Sequence, residues 1–313
     1  MTRLTALLVA WATPLMLAGV VVGFLVPPLA AAVRPVLTPL IVATLAVAVM
    51  RTDPATFAGA LRRPLLPGLL VVWILAVSPL AMHLALLALG ALGVTVGPAL
   101  HGPLVLYAAS AAITSMPAFA LLYRLDATFV LIAVTGASLA SPFSVPAVGA
   151  LIMGEALPLS PTAMAGRLAA IVVTAYLAGF ALRRLLGPAR IAAIRAPLDA
   201  GFVIAATLIG VAVMDGALGL ALARPGDAAL TVAAVFAGTV ALILAASALF
   251  WPAGLTTALG AGLASGPRSI STVLAALGAA ASDELIMVVA AAQLPIFVLP
   301  LVQRPLIRWL TAR

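Results

Sequence analysis

Arg268 stands inside the apolar stretch Leu255–Ala279, and no acidic residue accompanies it there. An arginine at the centre of a membrane helix costs roughly 2.5–3.5 kcal/mol on insertion scales, so it must face a cavity or a partner. Two chemistries fit. The guanidinium either bonds backbone carbonyls at an interrupted helix, or it presents a fixed positive charge to an anionic ligand, or in place of a bound cation. Hydroxyls lie close to it in sequence: Ser265, Ser269, Ser271 and Thr272. Other apolar stretches add Ser110, Thr114 and Ser115, then Thr135, Ser138, Ser141 and Ser144, and finally the amide of Gln293. A single hydroxyl in a membrane helix usually bonds its own backbone or a neighbouring helix. Gathered around a helix break, such groups instead make a small polar site in an apolar protein. The candidate binding residues are therefore Thr114, Ser115, Pro117, Thr135, Ser138, Ser265, Gly266, Pro267, Arg268, Ser269 and Gln293.

Other chemistry is sparse. Cys is absent, which excludes thiolate metal sites, disulfides and thiol redox switching. His83 and His101 do not resemble a metal or catalytic pair, and neither an HExxH pattern nor paired intramembrane carboxylates occur. The sequence predicts neither an enzyme nor a bound cofactor. Asp199 and Asp215 are weak candidates for the acidic site of an antiporter, because both fall near span ends.

These side chains must be positioned by membrane helices. Of 313 residues, 65% are hydrophobic and 8% are charged. Soluble domains carry about 25% charged residues. Proline, glycine and charge divide the chain into ten stretches. They are Leu7–Leu25, Pro35–Met50, Leu66–Leu89, Pro103–Tyr123, Phe129–Met153, Met164–Leu186, Leu198–Met214, Ala229–Phe250, Leu255–Ala279 and Leu285–Val302. Continuous apolar runs, rather than alternating ones, select helices over a barrel. The first run is longer than the apolar region of a secretory signal, so a retained helix is expected.

The formal charge is +8, with 16 basic residues, all arginine, against 8 acidic ones. The arginines sit in short connectors, not on one water-exposed face, which argues against nucleic acid. With the N-terminus inside, most of them fall on one side. Arg34, Arg167, Arg224, Glu155, Asp227, Asp283 and Glu284 fall on the other. The positive-inside rule then predicts both termini in the cytoplasm and an even number of spans in the inner (plasma) membrane.

The halves repeat at a separation of about 155 residues. Met50-Arg51-Thr52-Asp53 with Leu61-Arg62-Arg63-Pro64 parallels Met214-Asp215 with Leu222-Ala223-Arg224-Pro225. Ser115-Met116-Pro117 parallels Ser265-Gly266-Pro267, and Pro142 and Pro146 parallel Pro295 and Pro300. Five spans per half invert the second half. The breaks at Pro117 and Arg268 each lie roughly 20 Å along their spans at 1.5 Å rise per residue. Inverted repeats with interrupted helices characterise secondary transporters.

Three stretches resemble the bile acid:sodium symporter (BASS) superfamily. Arg51–Pro64 carries Asp-Pro-x-x-Phe-x-x-x-Leu-Arg-Arg-Pro. Thr114–Gly154 includes Leu122-Tyr123-Arg124-Leu125-Asp126. Gly262–Leu301 includes Gly266-Pro267-Arg268-Ser269 and Gln293-Leu294-Pro295-Ile296. The resemblance implies an all-α integral membrane fold of ten helices in two inverted five-helix repeats, 1–157 and 158–313. Helices 4 and 9 would be broken and crossing. Spans 1, 2, 6 and 7 would form a panel domain, and spans 3–5 and 8–10 a core. The implied function is alternating-access transport of a small organic anion, with a homodimer as one arrangement in the bilayer. The chain departs from sodium-coupled members at the breaks. It reads Ala111-Ala112-Ile113-Thr114-Ser115 at the first break, and Gly262–Ser269 holds no Glu, Gln or Asn. Hard cations need several oxygen ligands. Altered or absent Na+ coupling is therefore expected, with Arg268 supplying the positive charge. The alternatives are a cation/proton antiporter or efflux carrier of related broken-helix fold, and a non-transporting membrane sensor.

Overall fold

The computed structural model describes residues 3–52, 64–94, 97–154 and 157–311. Most of the resembling stretch Arg51–Pro64, from Asp53 to Arg63, and Glu155 lie outside them. The described residues form helices α1 (Arg3–Ala10), α2 (Ala12–Leu25), α3 (Pro27–Val33) and α4 (Leu37–Arg51). There follow α5 (Leu65–Val72), α6 (Ser78–Ala91), α7 (Pro98–Ala109), α8 (Met116–Leu122) and α9 (Ala127–Met153). The chain continues as α10 (Pro161–Ala193), α11 (Arg195–Ala212), α12 (Ala217–Ala223) and α13 (Pro225–Leu249). It ends with α14 (Leu255–Ser265), α15 (Ile270–Leu277) and α16 (Asp283–Thr311). No strand occurs among the described residues. This is an all-helical protein of multi-pass membrane character.

Among the described residues, seven helices are long and apolar enough to cross a membrane. The remaining three sequence stretches, Leu7–Leu25, Pro103–Tyr123 and Leu255–Ala279, are each assembled from shorter helices. Large apolar side chains point outward along these elements; Phe143, Leu151 and Leu185 are more than two-thirds exposed. In water such a surface would aggregate, whereas in a bilayer lipid covers it.

Sequence dictates several boundaries. Asp126 caps α9, its Oδ1 accepting from the Phe129 amide at 2.9 Å. Ser160 does the same for α10, with Pro161 in the first turn. Gly187 takes φ +73° and Pro188 follows it, so α10 turns there and runs on past the expected end at Leu186. By contrast, α9 continues through Pro142 and Pro146, and α16 through Pro295 and Pro300.

Most helix contacts fall into two sets, which meet chiefly where α9 packs on α10. α11 packs on α2 and α4, and α10 packs on α4. Glycines bring these backbones together: a Cβ on Gly19 would lie 2.6 Å from the Thr207 carbonyl, and one on Gly23 2.6 Å from that of Val211. This is the small-x-x-x-small packing of membrane helices. A second set joins α9 to α5, α7, α8 and α14, and joins α13 to α14 and α16. The two interrupted stretches belong to this second set.

Candidate functional site

Both interruptions follow from local sequence. α7 ends at Ala109, and Ser110 is extended (φ −63°, ψ 149°). α8 restarts at Met116, with Ser115 as its N-cap and Pro117 in its first turn, where the missing N–H costs no hydrogen bond. In the other stretch Gly266 leaves the helix (φ −77°, ψ −86°) one residue before Pro267. A residue preceding proline is disfavoured in helical conformation. Gly266 is also confined, because a Cβ there would meet Ile243 of α13 at 2.5 Å.

The two breaks touch. Ala112 and Arg268 form an antiparallel bridge, and the Ser269 amide donates to the Ala111 carbonyl at 2.8 Å. Backbone groups left unpaired by one broken helix thus find partners on the other.

Arg268 is fully buried. One terminal nitrogen donates to the carbonyls of Ile74 at 3.3 Å and Ser110 at 3.2 Å; the other donates to Ser78 Oγ at 2.9 Å. Its Nε has no partner. The guanidinium is therefore bonded to backbone at the break, the first of the two chemistries open to it. Ile74 supplies its carbonyl from a π-helical turn, Trp73–Val77, between α5 and α6. Such turns within helices often mark functional places. Among the described residues no carboxylate pairs with Arg268, so its charge is balanced by dipoles alone.

A cavity of about 500 Å³ lies against this junction. Of the candidate residues, Thr114, Ser115, Ser138, Arg268, Ser269 and Gln293 line it. Ser110, Ser141, Ser271 and Thr272 line it as well. Gln293 is buried, with Nε2 donating to the Val289 carbonyl of its own helix at 3.0 Å. Ser269 and Thr272 share a hydrogen bond of 2.9 Å between their hydroxyls.

Pro117, Thr135, Ser265, Gly266 and Pro267 do not line the cavity. Pro117, Gly266 and Pro267 shape the breaks. The Thr135 carbonyl accepts from Tyr176 at 3.4 Å. Ser265 is fully buried, and its hydroxyl is without a partner.

The cavity runs to the end of the molecule that carries Asp199 and Arg304, both in its wall. Asp199 pairs with Arg51 at 2.7 Å, and more loosely with Arg195 at 3.8 Å. Arginines outnumber the carboxylate at this mouth. At the other end of the molecule Arg224 pairs with Glu284 at 2.8 Å and with Asp283 at 3.3 Å.

Sequence reasoning missed three features. Ser78 and the π-turn carried no signal beyond an ordinary apolar run. Asp199 stands near a span end, yet it faces the cavity. His83 and His101 meet: Nδ1 of the first lies 2.8 Å from Nε2 of the second, with the rings edge to face. They come together because α6 and α7 are antiparallel neighbours, which a separation of 18 residues conceals. Among the described residues no group of three potential metal-binding His, Cys, Asp or Glu side chains converges. Compared with known proteins, the chain matches no family model and no curated protein.

Proposed function

We propose that this chain is a secondary transporter that carries a small organic anion by alternating access. The observation that carries the reading is the contact between two interrupted helices, Ala112 against Arg268, beside a cavity of about 500 Å³ that reaches one end of the molecule. Two broken helices that satisfy each other's backbone leave hydroxyls and helix ends facing a ligand, the arrangement secondary carriers use. Ten spans in two inverted repeats, 1–157 and 158–313, account for both breaks. The mutual packing of α2, α4, α10 and α11 supports a panel of spans 1, 2, 6 and 7. The remaining helices would form the core, as in the BASS superfamily.

The charge pattern favours an anion. Arg268 adds a positive charge beside the cavity with no carboxylate against it, and in a low-dielectric interior that charge is felt over several ångströms. Because the guanidinium is already bonded to Ile74, Ser110 and Ser78, the anion feels it through space. Direct contacts come from Thr114, Ser115, Ser138 and Ser269. Among the described residues Asp199 is the only carboxylate in the cavity wall, and it is engaged by Arg51, which disfavours a proton antiporter. Transport independent of sodium follows, as a uniport or coupled to protons or a counter-anion. The positive-inside pattern supports cytoplasmic termini and, with them, a cavity that opens inward.

Reconstituted vesicles test this. Uptake of a labelled carboxylate should proceed equally in sodium and in N-methylglucamine buffers, and should saturate. Absence of saturable flux across a broad panel of organic acids would remove the reading. Flux that requires sodium would remove its sodium-independent form.

A further inference from the structure

At the end remote from Asp199 the cavity wall includes Leu168 of α10 and Val273 of α15, both buried, and one arginine stands behind them. Arg167, adjacent to Leu168, donates one terminal nitrogen to the Ala276 carbonyl at 3.1 Å and to the Leu277 carbonyl at 3.4 Å. These are the last carbonyls of α15. The final carbonyls of any helix lack intrahelical partners and form the negative end of its dipole. A guanidinium is the natural group to satisfy two of them at once.

This contact joins the two helix sets. α15 is the far half of the second broken stretch and carries Ser271, Thr272 and Val273 into the cavity. It packs on α10 and α4. α8, the far half of the first broken stretch, makes its main contacts with α9 and α14. Of the two far halves, α15 packs on the other helix set and α8 makes no comparable contact with it.

We infer that Arg167 is a positioning residue, a latch that holds the site closed at the Leu277 end. The inference rests on the alternating-access reading above. For the cavity to open at that end, α15 must leave α10 and the two carbonyls must lose their donor. The latch therefore stabilises the state seen here over its opposite. Removing it shifts the population toward a cavity open at the Leu277 end, by the share of stability those hydrogen bonds hold.

The absence of cysteine makes the test direct, because one introduced thiol is the only thiol. Ser271→Cys is nearly isosteric, half-buried and in the cavity wall. It would be labelled in sealed, oriented vesicles by a membrane-impermeant maleimide added to either side. With Arg167 intact, labelling should come mainly from the Asp199 side. In Arg167→Gln the ratio should move toward the opposite side by roughly tenfold, as loss of one charged hydrogen bond implies. Arg167→Lys, which can still donate to the carbonyls, should restore most of the original ratio. An unchanged ratio in Arg167→Gln would overturn the latch. So would labelling that rises from both sides together with a fall in melting temperature, since that reports loosened packing. Carboxylate flux is measured on the same vesicles. A shifted ratio without flux of any anion leaves the latch standing and removes the carrier reading; flux with an unshifted ratio does the reverse.

Discussion

Replacing Arg268 with Gln and, separately, with Lys distinguishes its two contributions. The guanidinium makes three hydrogen bonds of 2.9–3.3 Å, all in a fully buried place. Removing one member of a buried ionic arrangement costs about 3–5 kcal/mol, because partners are left unsatisfied. Here the partners are neutral and the charge itself disappears, so about 3 kcal/mol is the expected loss for Gln. Lys retains the charge but lacks the planar fork that reaches Ile74, Ser110 and Ser78 together, so it loses a similar amount. Ligand affinity should separate the two variants. An anion held by Thr114, Ser115 and Ser269 would lie on the order of 8 Å from the guanidinium, and at an effective dielectric of 20 the attraction is about 2 kcal/mol. That is roughly 30-fold in Kd. The assay is thermal unfolding in detergent across a carboxylate titration, since a ligand at 100 times its Kd stabilises by about 2.7 kcal/mol. Both variants should melt earlier than the parent by comparable amounts. Gln should bind about 30-fold more weakly, and Lys within about threefold of the parent. If Gln bound carboxylates as tightly as the parent, the charge of Arg268 would be irrelevant to the ligand and its role purely that of a backbone tie.

Four other expectations can be checked by the same unfolding and titration measurements. Asp199→Asn removes a carboxylate from the cavity wall, so carboxylate affinity should rise a few-fold while the melting temperature falls; an unchanged or weaker affinity would contradict the charge argument. Gly266→Ala should destabilise by about 1–3 kcal/mol through the clash with Ile243, and Ile243→Ala in the same chain should recover part of that loss. Gly23→Ala should separate α2 from α11, because its Cβ would sit 2.6 Å from the Val211 carbonyl; a variant as stable as the parent would show the contact to be loose. Asp126→Ala should cost about 1 kcal/mol as a lost helix cap, with no change in carboxylate affinity.

What was legible in the sequence divides along physical lines. The breaks were legible because glycine, proline and serine act locally: Gly266-Pro267 and Ser115-Met116-Pro117 disrupt a helix whatever surrounds them. The burden on Arg268 was legible too, because an arginine in an apolar run must find partners. Which partners it found was not, since Ile74 and Ser78 lie 194 and 190 residues away. A π-turn leaves no mark in composition. Pro142, Pro146, Pro295 and Pro300 lie inside helices that continue through them, as the unbroken stretches Phe129–Met153 and Leu285–Val302 lead one to expect. Thr135 and Ser265 were chosen for being polar near a break, yet helix rotation turns them from the cavity, and nearly all-apolar helices give no periodicity from which to read rotation. The close approach of α2 to α11 at Gly19 and Gly23 was not legible, because small residues are common throughout this chain and do not name their partner.

The two breaks are alike in sequence but unequal in chemistry, and that inequality bears on how the site would work. At the first break the residue in the bridge is Ala112, which offers only its backbone; at the second it is Arg268, which reaches across to the π-turn and to Ser110. The arginine therefore ties together the second break, the first break and the junction of α5 with α6. These elements should move as one body, with the motion taken up where α9 meets α10 and where α15 meets α10 and α4. A charge balanced only by dipoles gains Coulomb energy from an anion in the cavity, most strongly when water is excluded. Closing the cavity over an anion then strengthens the attraction, whereas closing it empty leaves the charge with dipoles alone. The proposed carrier would thus cycle more readily loaded than empty. An exchange assay tests that directly: carboxylate inside the vesicles should accelerate uptake of labelled carboxylate from outside, and Arg268→Gln should reduce that acceleration more than Arg268→Lys does.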